Sequence, residues 1–237
     1  MLILALESSA GPASAAVVQD GKLLGECYIH TKQTHSQTLL PMAETLMNSL
    51  SFKCSDFDLM AVSNGPGSFT GVRIGVACVK GLAVPNNTPC CGVSTLETIA
   101  VGGQALEGSI ICAVMDARRE QVYNALFRVE NGILSRLTED RAVSIDALSR
   151  ECTVYRDRLV LFGDGAGLCY SSFKAFGARL APEGLRFQKA SGVAFAAERL
   201  AGEGKAVSPE ALLPTYLRLP QAERELNNKL KKDGIQA

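Results

Sequence analysis

The chain has no tryptophan, only two histidines among 237 residues, and no surplus of either charge: 24 Lys and Arg stand against 24 Asp and Glu. A balanced surface lacks the strong field that draws a protein to nucleic acid or to a membrane surface, so only local basic patches remain for such contacts. No apolar run approaches the roughly 20 residues of a membrane helix, and no membrane association is expected. Met1 leads straight into strand-like Leu2–Glu7, from which no leader peptide is expected. Cys-x-x-Cys is missing although there are eight cysteines. Cys90 and Cys91 are adjacent in a strand-like run, which points them to opposite faces. Cys27, Cys54, Cys78, Cys112, Cys152 and Cys169 are scattered through apolar segments and read as small buried hydrophobes in a reducing compartment. His30 and His35 are about 500° apart on a helix and share no face, so neither a metal site nor a cofactor is expected. His30 reads as a loop residue and His35 as lying near the start of the first helix.

What the chain does have is core-forming material, 47% hydrophobic, in an order that repeats. Strand-like Leu2–Glu7, Ala13–Gln19 and Lys22–Ile29, with the hairpin dipeptide Asp20-Gly21, precede a helix from about Ser36 to Leu50. Because Pro41 is tolerated only in a first turn, that helix is expected to start near Thr38. A strand Leu59–Asn64, a helix from about Thr70 to Val84 and a strand Cys90–Val93 follow. Ser94 and Glu97 form a capping box for a helix reaching Gly102. The order then recurs. The strands are Ile110–Asp116, Gln121–Glu130 and Ile133–Asp140, with Asn131-Gly132 as the second hairpin dipeptide. After them come a helix capped by Ser144, a strand Leu159–Gly163, a helix Gly167–Phe176, a strand Leu185–Gln188 and a helix Ser191–Ala201. A charged helix is expected over Gln221–Lys232. Two βββαβαβα halves, 1–105 and 106–237, facing across a cleft describe an α/β protein of actin-like (ribonuclease-H-like) ATPase architecture, with inner strands apolar throughout because helices cover both sheet faces.

The site of such a fold lies where the halves meet. In an active ATPase of this kind the first strand of each half ends in a carboxylate beside glycines that admit phosphate. Here those carboxylates are Glu7 and Asp116. Glu7 is followed by Ser8-Ser9-Ala10-Gly11, which is compatible with a phosphate loop. Asp116 is followed by Ala117-Arg118-Arg119-Glu120, which is not. Residues 65–75 read GPGSFTGVRIG, a Gly-rich turn from strand to helix where amides could hold an anion. Yet Thr70 stands where the dinucleotide motif requires Gly, and Val72-Arg73 where the triphosphate loop requires Lys-Ser/Thr. We therefore read Glu7, Arg73, Asp116, Arg118 and Arg119 as a degenerate cleft, with Arg118 and Arg119 filling the phosphate space or pairing with Glu7 and Asp116 across the cleft. Ser68 and Thr70 have no His-carboxylate partner in sequence and read as helix caps rather than nucleophiles.

The first two helices look over-supplied with contact surface. Leu39, Leu40, Met42, Ala43, Leu46 and Met47 give the first an apolar face wider than one contact stripe. Gly71, Gly75, Ala77 and Gly81 give the second a small-residue stripe, flanked by Val72, Val76 and Val79. Three glycines, each costing up to about 1 kcal/mol in a helix, call for compensation. Part of it is internal packing, and the excess suggests an external helix partner.

Four segments together, LILALESS at the start, GPGSFTGVRIG at 65–75, MDARREQVY at 115–123 and PTYLR at 214–218, resemble the TsaB family of tRNA threonylcarbamoyladenosine biosynthesis proteins over nearly the whole chain. The resemblance implies a cytoplasmic protein of actin-like fold without catalytic activity of its own. Its implied partners are the catalytic paralogue TsaD, the small ATPase TsaE, a second copy of itself when alone, and tRNA through the complex. It assigns partner contact to the first two helices. The paralogue's His-x-x-x-His metal motif is not found in this chain, and members usually carry Asp where Glu7 stands. The competing reading is a small-molecule kinase or ATPase of the same fold. A stand-alone peptidase lacks both nucleophile and metal ligands.

Overall fold

The computed structural model describes residues 1–218. The charged helix expected over Gln221–Lys232 lies outside them. In the first half, β1 (Leu2–Glu7), β2 (Ala13–Gln19) and β3 (Lys22–Ile29) form a meander. They are followed by α1 (His35–Ser49), β4 (Leu59–Gly65), α2 (Phe69–Ala83), β5 (Cys90–Ser94) and α3 (Thr95–Val101). The second half repeats this with β6 (Ile110–Asp116), β7 (Gln121–Glu130), β8 (Ile133–Arg136), β9 (Arg141–Ser144), α4 (Ile145–Cys152), β10 (Leu159–Phe162), α5 (Ala166–Phe173), β11 (Arg179–Leu180), α6 (Glu183–Arg186) and α7 (Ala190–Gly202). The sheet orders are β3-β2-β1-β4-β5 and β8-β7-β6-β10-β11, the same path twice, with β9 added against β7. In each sheet the central strand pairs antiparallel with the meander and parallel with the next strand. This duplicated topology is the actin-like one. Both hairpin dipeptides turn as a two-residue loop requires, with φ of 50° and 74° at Asp20-Gly21 and 54° and 70° at Asn131-Gly132.

The sheets follow the order of the chain, but the helices do not. Leu4, Leu6, Met60 and Val62 face α1 and α2. The alternate residues Ile3, Ala5, Leu59 and Ala61 face Val193, Ala194 and Ala197 of α7, which returns from the far end of the chain to cover the first sheet. Cys90 and Cys91 fall on opposite faces, one in each of these cores. Likewise α3 places Leu96, Ile99 and Ala100 against Ile111, Ala113 and Phe127 of the second sheet, whose other face carries α4 and α5.

Local expectations need four corrections. First, α1 begins at His35 and contains Pro41 in its interior. Pro41 is exposed, and burial of Leu39, Met42, Ala43, Leu46 and Met47 along the opposite face outweighs the roughly 3 kcal/mol a mid-helix proline costs. Second, Ser94 caps α3 through its hydroxyl, accepting from Glu97 N at 3.2 Å, but the Glu97 carboxylate does not return the bond. It bridges Arg199 of α7 at 2.5 Å and Arg136 of β8 at 3.3 Å. Third, the strand expected over Ile133–Asp140 breaks after Arg136, where Leu137 and Thr138 both turn back onto Leu126 O. Fourth, Leu185–Gln188 is no strand. The last strand of the second sheet is the two-residue β11, too short to show a period, and α6 follows it.

Candidate functional site

A cavity of about 510 Å³ opens between the halves, where the loops after β1, β4, β6 and β10 converge. Ser9, Ala10 and Gly11 line it from one half and Met115 to Arg118, Tyr123 and Asp164 from the other, while Pro66 to Phe69 and Thr215 to Arg218 close its ends. Its volume suits a small ligand, but its walls do not follow the phosphate-cradle pattern. Two of the glycines of residues 65–75 approach the backbone of the loop after β1 instead: a Cβ on Gly67 would lie 2.4 Å from Ser9 O, and one on Gly71 2.2 Å from Ser8 O. Ser68 caps α2 by accepting from Gly71 N. Thr70 lies within the helix and is exposed.

The two strand-end carboxylates have different surroundings. Glu7 does not line the cavity. It is fully buried, and its Oε1 accepts from Ser9 N at 2.6 Å and Ser9 Oγ at 2.5 Å. Burial raises its pKa, opposed by the hydroxyls of Ser63 and Ser9 and the amides of Ser9 and Ser8. Asp116 does face the cavity. Its carboxylate accepts from Arg118 N at 2.7 Å and pairs with the Arg118 guanidinium at 3.2 Å. Arg118, Arg119 and Glu120 all have positive φ, 64°, 54° and 56°, a run of three left-handed non-glycine residues that stores strain at the cavity rim. Beside them, Asp164 accepts from Asp116 N at 3.3 Å. Burial and the Asp116 charge push its pKa up to about 6, against the pull of the neighbouring amides.

Of the cleft residues expected from sequence, Asp116 and Arg118 thus meet. Arg119 is exposed and outside the cavity lining. Glu7 is turned into the core, out of reach of the pairing with arginine expected for it. Arg73 is also misplaced by the sequence reading. One helical turn beyond the loop, its guanidinium lies 3.9 Å from the Phe69 ring centroid, and its Nε donates to Tyr216 Oη at 2.9 Å. His30 packs edge-on against Phe187, and His35, at the start of α1, contacts Ala10 O at 2.6 Å.

Three features found here had no role in the reading of the sequence. Asp164 sits in Gly163-Asp164-Gly165, a glycine-flanked acid after β10 that was a readable signal. Gln188 is fully buried in a stretch without periodicity. The third is the strap Leu212–Arg218. Thr215 N donates to Asn64 O at 2.7 Å, Tyr216 stacks on Phe69 at 4.9 Å between centroids, and Arg218 donates to Ala117 O at 2.9 Å and to Gln121 Oε1. It runs from the first half to the turn after β6. PTYLR was visible as a motif, but only the fold shows that it crosses the cleft.

The helical face also needs correcting. Leu39, Met42, Ala43, Leu46, Met47, Val72, Val76 and Val79 belong to the chain's own core, and Gly71 and Gly75 are buried against Ser8 and Val62. Of the residues expected to meet a partner, Leu40, Ala77 and Gly81 are the exposed ones. The apolar excess was largely the width needed to cover a sheet on one side and a neighbouring helix on the other. Thr70, Arg73, Ala77 and Gly81 form the exposed row of α2, spaced to share one face. Nothing lies within 4 Å of a Cβ placed on Gly81.

Comparison with known proteins agrees with this architecture. The family model described as TsaD, tRNA N6-adenosine threonylcarbamoyltransferase, matches residues 28–159. The tRNA threonylcarbamoyladenosine biosynthesis protein TsaB of Bacillus subtilis is 34% identical over 227 residues, covering 94% of this chain and 96% of its own. TsaB of Escherichia coli is 31% identical over 231 residues, covering 97% of this chain and 100% of its own. The solved structure of YeaZ from Pseudomonas aeruginosa superposes with a TM-score of 0.78 at 28% identity, covering 91% of this chain and 99% of that one. A second structure from the same organism, described as similar to peptidase YeaZ, gives 0.79 at 28% identity, with 92% and 99% covered. With near-complete coverage in both directions and the duplicated fold behind it, the chain belongs to the TsaB family.

Proposed function

We propose that this chain is a non-catalytic subunit of the machinery that makes threonylcarbamoyladenosine in tRNA, at the adenosine next to the anticodon in tRNAs reading codons that begin with A. In this reading it acts in the cytoplasm as partner and scaffold of a TsaD-like transferase, together with a TsaE-like ATPase, and meets tRNA through that complex. The observation that carries the non-catalytic reading is the asymmetry of the cleft. One strand-end carboxylate is buried in the core, and the other is paired with Arg118 on a turn without glycine. A cleft so occupied offers no second phosphate loop, and a polyphosphate would have to displace the Arg118–Asp116 pair. The peptidase description of one similar structure finds no support in the cavity: none of its lining residues is a histidine, and His35, which lies near Ser68 across Gly71, contacts Ala10 O instead.

The partner surface is the outer side of α1 and α2, around exposed Leu40 and Ala77 and the bare Gly81. The same surface serves a homodimer when the partner is missing. Among the described residues no helix is long and apolar enough to cross a membrane.

Steady-state ATP hydrolysis by the purified chain is the direct test. The expected rate is far below the enzyme median of about 10 per second. A turnover near that value, lost on Asp116→Asn, would establish the kinase or ATPase reading instead. Sedimentation of wild type against Leu40→Glu tests the dimer: the substitution, at an exposed position, should yield monomer, and identical behaviour of both proteins would place the interface elsewhere.

A further inference from the structure

We propose that Glu7 is held as a neutral carboxylic acid at physiological pH and donates its proton to Gln188 Oε1, forming a latch that ties the end of β1 to the segment entering α7. The inference holds whether or not the chain is catalytic.

Glu7 and Gln188 are both fully buried, and both are bound to Ser9. Ser9 Oγ donates to Glu7 Oε1 at 2.5 Å and accepts from Gln188 Nε2 at 3.4 Å. Around this serine two acceptors remain unmatched, Glu7 Oε2 and Gln188 Oε1. Two buried acceptors without a donor are a costly arrangement. One proton on Oε2 converts an acceptor into a donor and gives Gln188 Oε1 a partner. The alternative, a carboxylate with no cation in the core, carries the larger penalty of a buried unpaired charge.

The groups facing Glu7 from each neighbouring element are neutral. Ser14 lies opposite it across the β1–β2 pair, and Ser63 sits on β4 where its hydroxyl can turn toward Glu7 or toward Thr98, 3.3 Å away. Ser8 and Ser9 flank it. The N-terminus of α7, just after Gln188, is a source of positive potential, since the first amides of a helix favour an anion. Its leading amides are already taken, Ala190 N by Ser14 Oγ and Ser191 N by Glu26 Oε1, each at 2.8 Å. Glu26 is thus the anion at that terminus, and Glu7 is not needed in that role. Burial raising the Glu7 pKa points the same way.

The consequence for pH is specific. An acid whose folded pKa is raised contributes stability that is fully present below the unfolded glutamate value of about 4.3 and is lost as pH rises toward the folded pKa. In that window one extra proton on the folded state makes the unfolding constant climb toward tenfold per pH unit.

The test is urea unfolding of wild type and Glu7→Gln from pH 5 to 8.5, with the Glu7 carboxyl ¹³C shift followed in the folded wild type. The amide in Glu7→Gln supplies the same donor without a titrating proton. Its unfolding constant should lie within about tenfold of that of wild type at pH 5, close to the unfolded glutamate value, and should not share the tenfold-per-unit climb, so that Glu7→Gln becomes progressively the more stable of the two as pH rises toward 7. The wild-type carboxyl signal should not move to the ionised position by pH 7. This shift alone decides the matter if the variant does not fold. The competing arrangement turns the Gln188 amide end for end and gives Nε2–H to an ionised Glu7. It predicts an ionised carbon shift at pH 7 and a Glu7→Gln protein at least tenfold less stable, and either result would overturn the latch.

Discussion

The ends of β1 and β6 occupy equivalent places in the two halves, and the chain treats them in opposite ways. At β1 the carboxylate is withdrawn from solvent, Ser8 and Ser9 are buried, and Ser8 Oγ donates to Gly71 O at 2.9 Å, so the loop is knitted into the core. At β6 the carboxylate faces the cavity, Arg118 is 87% exposed at its side chain, and three residues with positive φ hold the turn. The difference shows how a duplicated fold can lose symmetry of function while keeping symmetry of topology. The first half uses its strand end to pack α2 and the segment before α7. The second keeps an exposed, strained rim at the cleft.

The comparison can be broken most severely at its rigid side. Gly71→Val places side-chain atoms where Ser8 O lies 2.2 Å from the Cβ position. A loss of about 3 kcal/mol is expected, seen as a fall in melting temperature on the order of 10 °C. Gly81→Val, with nothing within 4 Å, should stay within about 0.5 kcal/mol. Equal effects from the two would mean that α2 does not seat Gly71 on the loop after β1.

Next in size is the partner surface on the same helix. Ala77→Arg, on the exposed row, should leave circular dichroism unchanged and cut co-purification of the TsaD-like partner by about 100-fold, since an unpaired charge at a buried contact costs several kcal/mol and each 1.4 kcal/mol is tenfold. Threonylcarbamoyladenosine in tRNA, measured by nucleoside mass analysis in cells carrying only the variant, should fall with it. Normal nucleoside levels would move the interface off this face.

On the strained side the expected change is stabilising. Arg119→Gly relieves a left-handed non-glycine residue and should raise stability by about 1 kcal/mol, or roughly 3 °C. A loss of stability would show that the Arg119 side chain holds the turn.

The smallest effect belongs to Asp164. With its pKa raised to about 6, its contribution is fully present below about pH 3.9 and lost as pH rises through about 6. Asp164→Asn should therefore gain on wild type as pH rises from about 3.9 through about 6 and hold that gain above, by no more than about 1 kcal/mol because the residue, though its carboxylate is sheltered, opens to the cavity where solvent screens it. Melting curves at pH 5 and 8 would show it, and no change in the difference between the proteins would place Asp164 free of Asp116.

Much of this was legible beforehand because its cause is local. Strand alternation, the dipeptides Asp20-Gly21 and Asn131-Gly132, and the caps at Ser68, Ser94 and Ser144 each depend on neighbours a few residues away. The repeat of one element order in two halves depends on nothing more, and it was enough to fix the topology. Asp116 and Arg118 could be placed together because only Ala117 separates them.

What only the tertiary structure decided lies in contacts between distant segments, which no local pattern encodes. An apolar helix face reads alike whether it meets a sheet, a sister helix or another protein, so Leu46 and Ala77 looked equivalent until the fold buried one and exposed the other. A glycine reads alike whether it admits a phosphate or a backbone carbonyl, and Gly71 admits Ser8 O. A carboxylate at a strand end reads alike whether it faces a cleft or a core. Glu7 faces the core because α7, arriving from residues 190–202, covers that side of the first sheet, and only the folded chain brings Gln188 to it.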